Sequence, residues 1–120
     1  MLQITEVLRD RGSRYAVSGG AVAGRAGIDA FLRELKKEKR FARATHNSWG
    51  AILSDGGPVK GDDGESGAGA IILKMLEREG LHDTVIVVTR WYGGTHLGGD
   101  RFAHVATCVR AWLEACAKGG

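Results

Sequence analysis

Two patterns of hydrophobic residues mark the best-defined strands of the chain. Residues 84–89 form an unbroken apolar and β-branched run, which is typical of a central strand covered on both faces. In residues 46–54, Trp49, Ala51 and Leu53 fall on one side in a period of two, which predicts a half-buried strand. The chain is therefore expected to build a sheet.

Glycine and proline predict where the other extended segments turn. Residues 13–17 predict a strand, and Ser18-Gly19-Gly20 predicts a turn into a short extended piece at 21–23. Residues 1–12 predict a strand or a lead-in. Residues 55–61 contain three glycines and the only proline of the chain, so this segment is predicted to be a loop.

Apolar residues at helical spacing predict three helices, at residues 26–35, 68–76 and 102–116. Gly80 stands where a left-handed residue would end the second helix, and Asp100 is a candidate N-cap of the third.

Helices interleaved with strands predict a single domain over residues 1–120. Its expected class is α/β of the α+β type, a two-layer sandwich of a mixed sheet with helices largely on one face. With 43% hydrophobic and 26% charged residues, the composition is that of a globular chain and not of a disordered one.

Two features favour the cytoplasm as the location. No apolar run approaches the ~20 residues that cross a bilayer, and the N-terminus lacks the layout of a signal peptide. Cys108 and Cys116 lie on one predicted helix about 12 Å apart, beyond disulfide reach. Two free thiols suit a reducing compartment.

An acidic cluster, Asp62, Asp63 and Glu65, precedes the second helix. Carboxylates at a helix start accept hydrogen bonds from free amides, so capping alone explains much of the pattern. The alternative is a Mg²⁺ or Ca²⁺ site, although the ligand spacing of an EF-hand is missing.

The segment Arg90-Trp91-Tyr92-Gly93-Gly94 follows the central strand and leads to Asp100-Arg101. A guanidinium and two rings at a strand end are suited to bind RNA or a peptide. Alternatively, the two rings belong to the core and Arg90 neutralises one of the acids. The glycines match neither common phosphate-binding motif, which disfavours a nucleotide enzyme.

Histidine, serine and cysteine provide no catalytic constellation. His46 opens a predicted strand, but the histidines lack the spacing of a zinc site, and a structural, hydrogen-bonded role is favoured. The serines lack a nucleophile-elbow setting and the cysteines belong to a helix stripe. We therefore predict no catalytic residue, no metal and no cofactor.

The net charge is only +3, yet six basic residues crowd one short stretch: Arg33, Lys36, Lys37, Lys39, Arg40 and Arg43. Such a stretch can contact the phosphates of RNA. The alternative is a solvated helix surface of mixed charge, since Glu34 and Glu38 interrupt it.

Several segments together resemble the ancient domain of the Impact/YigZ family over about residues 9 to 115. These are Ser13-Arg14-Tyr15, Ala44-Thr45-His46-Asn47, Asp62-Asp63-Gly64-Glu65, Ala68-Gly69, Arg90-Trp91-Tyr92-Gly93-Gly94, Leu97-Gly98 and Asp100-Arg101-Phe102. The Trp91-Tyr92 pair is more similar to the eukaryotic Impact version, and residues 66–70 lack the Pro and Thr-Ala-Gly of the YigZ pattern.

This resemblance implies a fold similar to domain IV of elongation factor G and to a small-subunit ribosomal protein. It also implies a role in the starvation response, in which Impact proteins compete for an activator of an initiation-factor kinase. Binding of monomeric actin, and of nucleic acid or the ribosome by YigZ-type members, is implied as well. The resemblance brings no catalytic activity.

We therefore expect a non-enzymatic binding module linked to the regulation of translation, with a translation-control protein, the ribosome or RNA as partner. Its site is expected where eleven residues meet: His46, Asp62, Asp63, Glu65, Arg90, Trp91, Tyr92, Gly93, Gly94, Asp100 and Arg101. RNA binding through the basic stretch is a second hypothesis. A metal-dependent phosphoester hydrolase that uses the acidic cluster and His46 is a third.

Overall fold

A computed structural model describes residues 1–119, so the predicted domain end at Gly120 lies outside the described residues. The strands are β1 (Leu2–Asp10), β2 (Ser13–Ala21), β3 (His46–Leu53), β4 (Gly57–Gly61) and β5 (Thr84–Trp91). The helices are α1 (Gly24–Leu35), α2 (Lys39–Ala42), α3 (Ala68–Arg78) and α4 (Asp100–Ala117).

The strands form one sheet in the order β1-β2-β5-β3-β4, and all four pairings are antiparallel. Two hairpins, β1–β2 and β3–β4, flank β5, which pairs with the second strand of one and the first strand of the other. The predicted α+β architecture is confirmed, but the prediction of a mixed sheet is wrong. Local hydrophobic patterns carry no information on strand direction, which is set by the connections.

Strand β5 is buried along almost its whole length, as its apolar run predicts. Its side chains alternate between two cores. Ile86 and Val88 pack with α3 and α4 on one face, whereas Val85 and Val87 pack with Ile28 of α1 on the other. The sheet is therefore covered on both sides around its central strand.

Helices α3 and α4 share one face and contain most of the helical residues, which agrees with the prediction of helices largely on one face. Helices α1 and α2 cover part of the opposite face through Ile28, Leu35 and Phe41. We call the first the α3/α4 face and the second the α1/α2 face. No helix within residues 1–119 is long and apolar enough to cross a membrane.

Two glycine-rich segments form strands where turns or loops are predicted. Residues 18–20 continue β2 without a turn, and a Cβ atom on Gly19 would lie 2.5 Å from the ring of Trp112 in α4. Gly19 therefore allows a close helix contact and does not reverse the chain. Residues 57–61, predicted as a loop, form the edge strand β4, where Pro58 is tolerated because an edge strand leaves half of its amides unpaired.

Candidate functional site

Arg90 lies at the end of β5 and turns its side chain into the α3/α4 face, where it is only 6% exposed. Its Nη1 donates to Oε1 and Oε2 of Glu65 at 3.0 and 3.2 Å. Its Nε and Nη2 donate to Oγ of Ser13 at 3.4 and 3.3 Å. A buried guanidinium is tolerated here because each of its three nitrogens has an acceptor.

Glu65 is the buried carboxylate of the site, at 2% exposure. Besides Arg90 it contacts His46, whose Nε2 lies 2.9 Å from Oε2 of Glu65. The other ring nitrogen of His46, Nδ1, lies 2.8 Å from the carbonyl oxygen of Asp63. A protonated imidazole would donate to both oxygens. His46, Glu65, Arg90 and Ser13 thus form one connected group, which we call the buried network.

The carboxylates of Asp62 and Asp63 bind backbone amides and not Arg90. Asp62 accepts from the N–H groups of Gly69 at 2.8 Å and Gly67 at 3.1 Å, at the start of α3. These amides, with that of Gly69 first, hold the pKa of Asp62 below its usual value. Asp63 accepts from the amide of Asn47 at 2.7 Å.

This arrangement decides between the alternatives for the acidic cluster. The alternative that Arg90 neutralises one of the acids is confirmed, and the acid is Glu65 and not Asp62 or Asp63. Asp62 caps α3 and Asp63 fixes the loop to β3. Within residues 1–119, no group of three histidine, cysteine or acidic side chains is placed to hold a metal ion. The hydrolase hypothesis therefore finds no support.

Trp91 and Tyr92 do not form a pair of rings. Trp91 lies on the α1/α2 face, edge-on to Phe41 at a centroid distance of 5.2 Å, and its Nε1 donates to the carbonyl oxygen of Arg40 at 2.9 Å. Tyr92 stays 42% exposed on the side of the buried network, 5.7 Å from the guanidinium of Arg90. Strand alternation separates the two rings.

Gly93 allows two loops to touch. A Cβ atom at this position would lie 2.0 Å from the carbonyl carbon of Gly12 in the β1–β2 turn, so no larger residue fits without a shift. The amide of Gly93 also donates to Oγ of Ser13 at 3.3 Å. Gly94 has a φ of +94°, which favours glycine. Both glycines shape the loop and lie outside the cleft described next.

A cleft of about 240 Å³ opens beside the buried network. Its lining consists of Thr45, His46, Glu65, Arg90, Tyr92, His96 and Arg101. The Nε atom of Arg101 is buried and has no hydrogen-bond partner among the described residues. We call this the network cleft.

The predicted site residues are therefore only partly brought together. His46, Glu65, Arg90, Tyr92 and Arg101 line the network cleft, whereas the other six do not. Asp100 is the first residue of α4 and makes no cap hydrogen bond with its side chain, so the N-cap prediction is wrong. Its carboxylate pairs with Arg11 on the surface instead.

Sequence reasoning missed Ser13, Thr45 and His96 as parts of this region. Ser13 opens β2 and Thr45 precedes β3, where its Oγ1 accepts the amide of Tyr92 at 2.9 Å. Both belong to the motifs that carry the family resemblance, and this membership was the available signal. His96 lies in an irregular loop with its ring 5.4 Å from that of Tyr92, and no sequence pattern indicates this contact.

The six residues of the basic stretch are all exposed, in α1, in α2 and beside them. Lys37 pairs with Glu34 at 2.8 Å, as expected for a helix surface of mixed charge. Arg40 differs from the others, because its guanidinium lies 5.0 Å from the ring centroid of Trp91.

Comparison with known proteins identifies the family. The family model described as "Impact N-terminal domain" matches residues 11–113. The chain is 37% identical to "Protein IMPACT homolog" of Caenorhabditis elegans over 116 residues, which is 91% of this chain and 45% of that protein. The chain thus spans less than half the length of this curated relative.

Two solved structures are similar. One, described only as a hypothetical protein, has a TM-score of 0.78 at 24% identity, over 93% of this chain and 57% of the other, and shows the shared fold. The other is the two-domain translational regulator Yih1, with a TM-score of 0.53 at 30% identity, over 88% of this chain and 43% of Yih1. The resemblance seen in the sequence motifs is thereby confirmed, and the chain belongs to the Impact N-terminal domain family.

Proposed function

We propose that this chain is a non-enzymatic binding module that regulates translation in the cytoplasm. Its partner is a protein of the translation-control machinery, which contacts the network cleft. Support for the cellular role comes from the family and from Yih1, which is described as a translational regulator and shares 30% identity with this chain. Support for the contact site comes from the geometry.

The hydroxyl and thiol groups buried behind the network cleft favour binding over catalysis. Oγ of Ser13 already accepts three N–H groups, from Nε and Nη2 of Arg90 and from the amide of Gly93, so it is not poised as a nucleophile. Burial raises the pKa of the Cys108 thiol to about 12 and that of Tyr15 to about 12, which keeps both groups neutral. The ionic groups hold the loops in place.

The observation that carries the proposal is the exposed ring of Tyr92 in one cleft with Arg101. Tyrosine and arginine are among the side chains enriched at the energetic centres of protein interfaces. Arg101 lines the cleft with a guanidinium whose Nε has no acceptor among the described residues, and His96 lies beside Tyr92. A carboxylate or carbonyl of a partner would complete this set of donors, so we expect the partner to present an acidic segment.

Affinity capture from extract tests this contact. The tagged wild-type chain is compared with a double variant, Tyr92→Ala with Arg101→Gln, which removes the ring and the charge. We expect the wild type to retain proteins of translation control and the double variant to lose them. Arg110→Gln is the matched control, because Arg110 is an exposed arginine of the same helix α4 away from the cleft.

Equal retention by the wild type and the double variant would rule out the network cleft as the contact site. A retained set without translation proteins would contradict the proposed role itself.

A further inference from the structure

The α1/α2 face carries a second concentration of arginine, around Trp91 at the end of the central strand β5. A hollow of about 260 Å³ is lined there by Thr5, Glu6, Arg9, Arg14, Arg40 and Trp91. These residues come from β1, β2, α2 and β5. We call this the arginine surface. It shares no lining residue with the network cleft.

Two guanidinium groups of this surface lie over the ring of Trp91. Arg40 is 5.0 Å and Arg14 is 6.0 Å from the ring centroid, and the Nε1–H of Trp91 is fixed to the backbone of α2. A guanidinium that stacks on an aromatic ring keeps its N–H donors free in its own plane. The contact with Trp91 therefore restricts the arginine side chains and itself uses none of their N–H donors. One of these donors, Nη2 of Arg40, donates to the carbonyl oxygen of Thr5 at 3.3 Å.

The positive charge of the arginine surface is only partly neutralised. Within residues 1–119, Arg14 and Arg40 have no carboxylate within 4.0 Å, unlike Arg11 and Arg90. The single acid of the hollow, Glu6, pairs with Arg9 at 2.8 Å. Three guanidinium groups thus face one carboxylate, and an anion would gain from binding there.

We propose that the arginine surface binds single-stranded RNA. Arg14 and Arg40 would contact phosphates, whose geometry suits the planar fork of a guanidinium. Trp91 holds the two guanidinium planes, on which an unpaired base of a single strand can stack. The exposed Lys39 and Arg43 flank Arg40 in sequence, so a chain of phosphates finds further positive charge beside the hollow.

Fluorescence anisotropy with a labelled oligouridine, measured across a potassium chloride series, tests the proposal. Arg14→Gln with Arg40→Gln should weaken binding about tenfold at low salt and lower the salt slope by about 1.4, since each lost phosphate contact removes about 0.7. The matched control is Arg78→Gln with Arg110→Gln. It removes the same charge from exposed positions of α3 and α4, away from the arginine surface, and should leave affinity within about twofold. Equal losses in both double variants would overturn the proposal.

Glu6→Gln provides a test that misfolding cannot imitate. Removing the one carboxylate of the hollow releases Arg9 and should strengthen RNA binding about threefold at low salt. Unchanged or weaker binding would contradict the site.

Competition with polyglutamate that carries the same charge as the oligouridine tests whether the ligand is RNA. Displacement of RNA by this competitor at equal concentration would overturn RNA as the ligand, whereas retention of RNA supports it.

Discussion

Single side chains decide how the network cleft is built. Arg90 and Glu65 are both nearly inaccessible, and each charge depends on the other and on neutral groups such as Ser13. Removing one member leaves an uncompensated charge in a medium where solvation is poor, so its loss is expected to cost more than the pair contributes. The ion pair of Arg90 and Glu65 is therefore required to position Tyr92 and His46. This structural role does not require the pair to take part in a reaction.

A double-mutant cycle on the pair checks this dependence. Glu65→Gln and Arg90→Gln should each lower the free energy of unfolding by about 3 kcal/mol, because each leaves the partner charge buried. The double variant should cost about 2 kcal/mol less than the sum of the two, since neither charge remains. Urea unfolding followed by circular dichroism gives all three values.

The surface pair of Arg11 and Asp100 is the comparison, because both side chains are well exposed. Asp100→Asn should cost less than about 1 kcal/mol. Strictly additive losses at Glu65 and Arg90, or losses as small as at Asp100, would show that the pair is not coupled.

At this scale the sequence predicts the members of the site better than their contacts. Three adjacent acids cannot be distinguished by composition, and only the turn at residues 62–67 directs Asp62 to amides and Glu65 to Arg90. The separation of the Trp91 and Tyr92 rings could have been predicted from the sequence, because successive residues of a strand face opposite sides.

The residues of the network cleft are positioned by the ends of helices and strands. Helix α3 begins directly after the acidic loop. The carboxylate of Asp62 accepts hydrogen bonds from the amides of Gly67 and Gly69, which lie five and seven residues later in the chain. This cap joins the loop that carries Glu65 to the helix. The orientation of the buried carboxylate therefore depends on how α3 begins.

Asp62→Asn should destabilise the protein by about 1 kcal/mol at neutral pH through loss of a charged helix cap. The pKa of Asp62 is depressed in the folded protein, so its contribution is complete above the unfolded value of about 3.9 and is lost as the pH falls through the lower folded value. The difference between wild type and variant should shrink below about pH 4. Thermal unfolding at several pH values measures it.

Asp55→Asn is the control, because Asp55 is an exposed acid in the β3–β4 turn and makes no side-chain hydrogen bond within residues 1–119. A pH-independent difference for Asp62→Asn, or an equal effect of Asp55→Asn, would contradict the capping role.

Elements with strong periodicity were predictable from sequence, among them β3, β5 and the three long helices. The glycine-rich strand segments could not be predicted in this way. Gly19 is a glycine because Trp112 packs against its backbone, and this reason is visible only when α4 is in place. Strand β4 forms because β3 offers a free edge, although its own sequence contains a proline and two glycines.

The whole molecule presents two surfaces of different character. The network cleft lies on the side of α3 and α4, and the arginine surface lies on the side of α1 and α2. Strand β5 contributes a residue to each surface, because the neighbouring residues Arg90 and Trp91 point to opposite faces of the sheet. A module of this size can therefore contact two partners without competition between them.

The most direct test of the account is the effect of the purified chain on a cell-free eukaryotic translation reaction. The wild type should change the yield of a reporter in a concentration-dependent manner. The double variant, Tyr92→Ala with Arg101→Gln, should have no effect while its unfolding midpoint stays unchanged, because neither side chain belongs to the buried network. An inactive wild type, or a folded double variant as active as the wild type, would contradict the assignment of the network cleft as the regulatory contact.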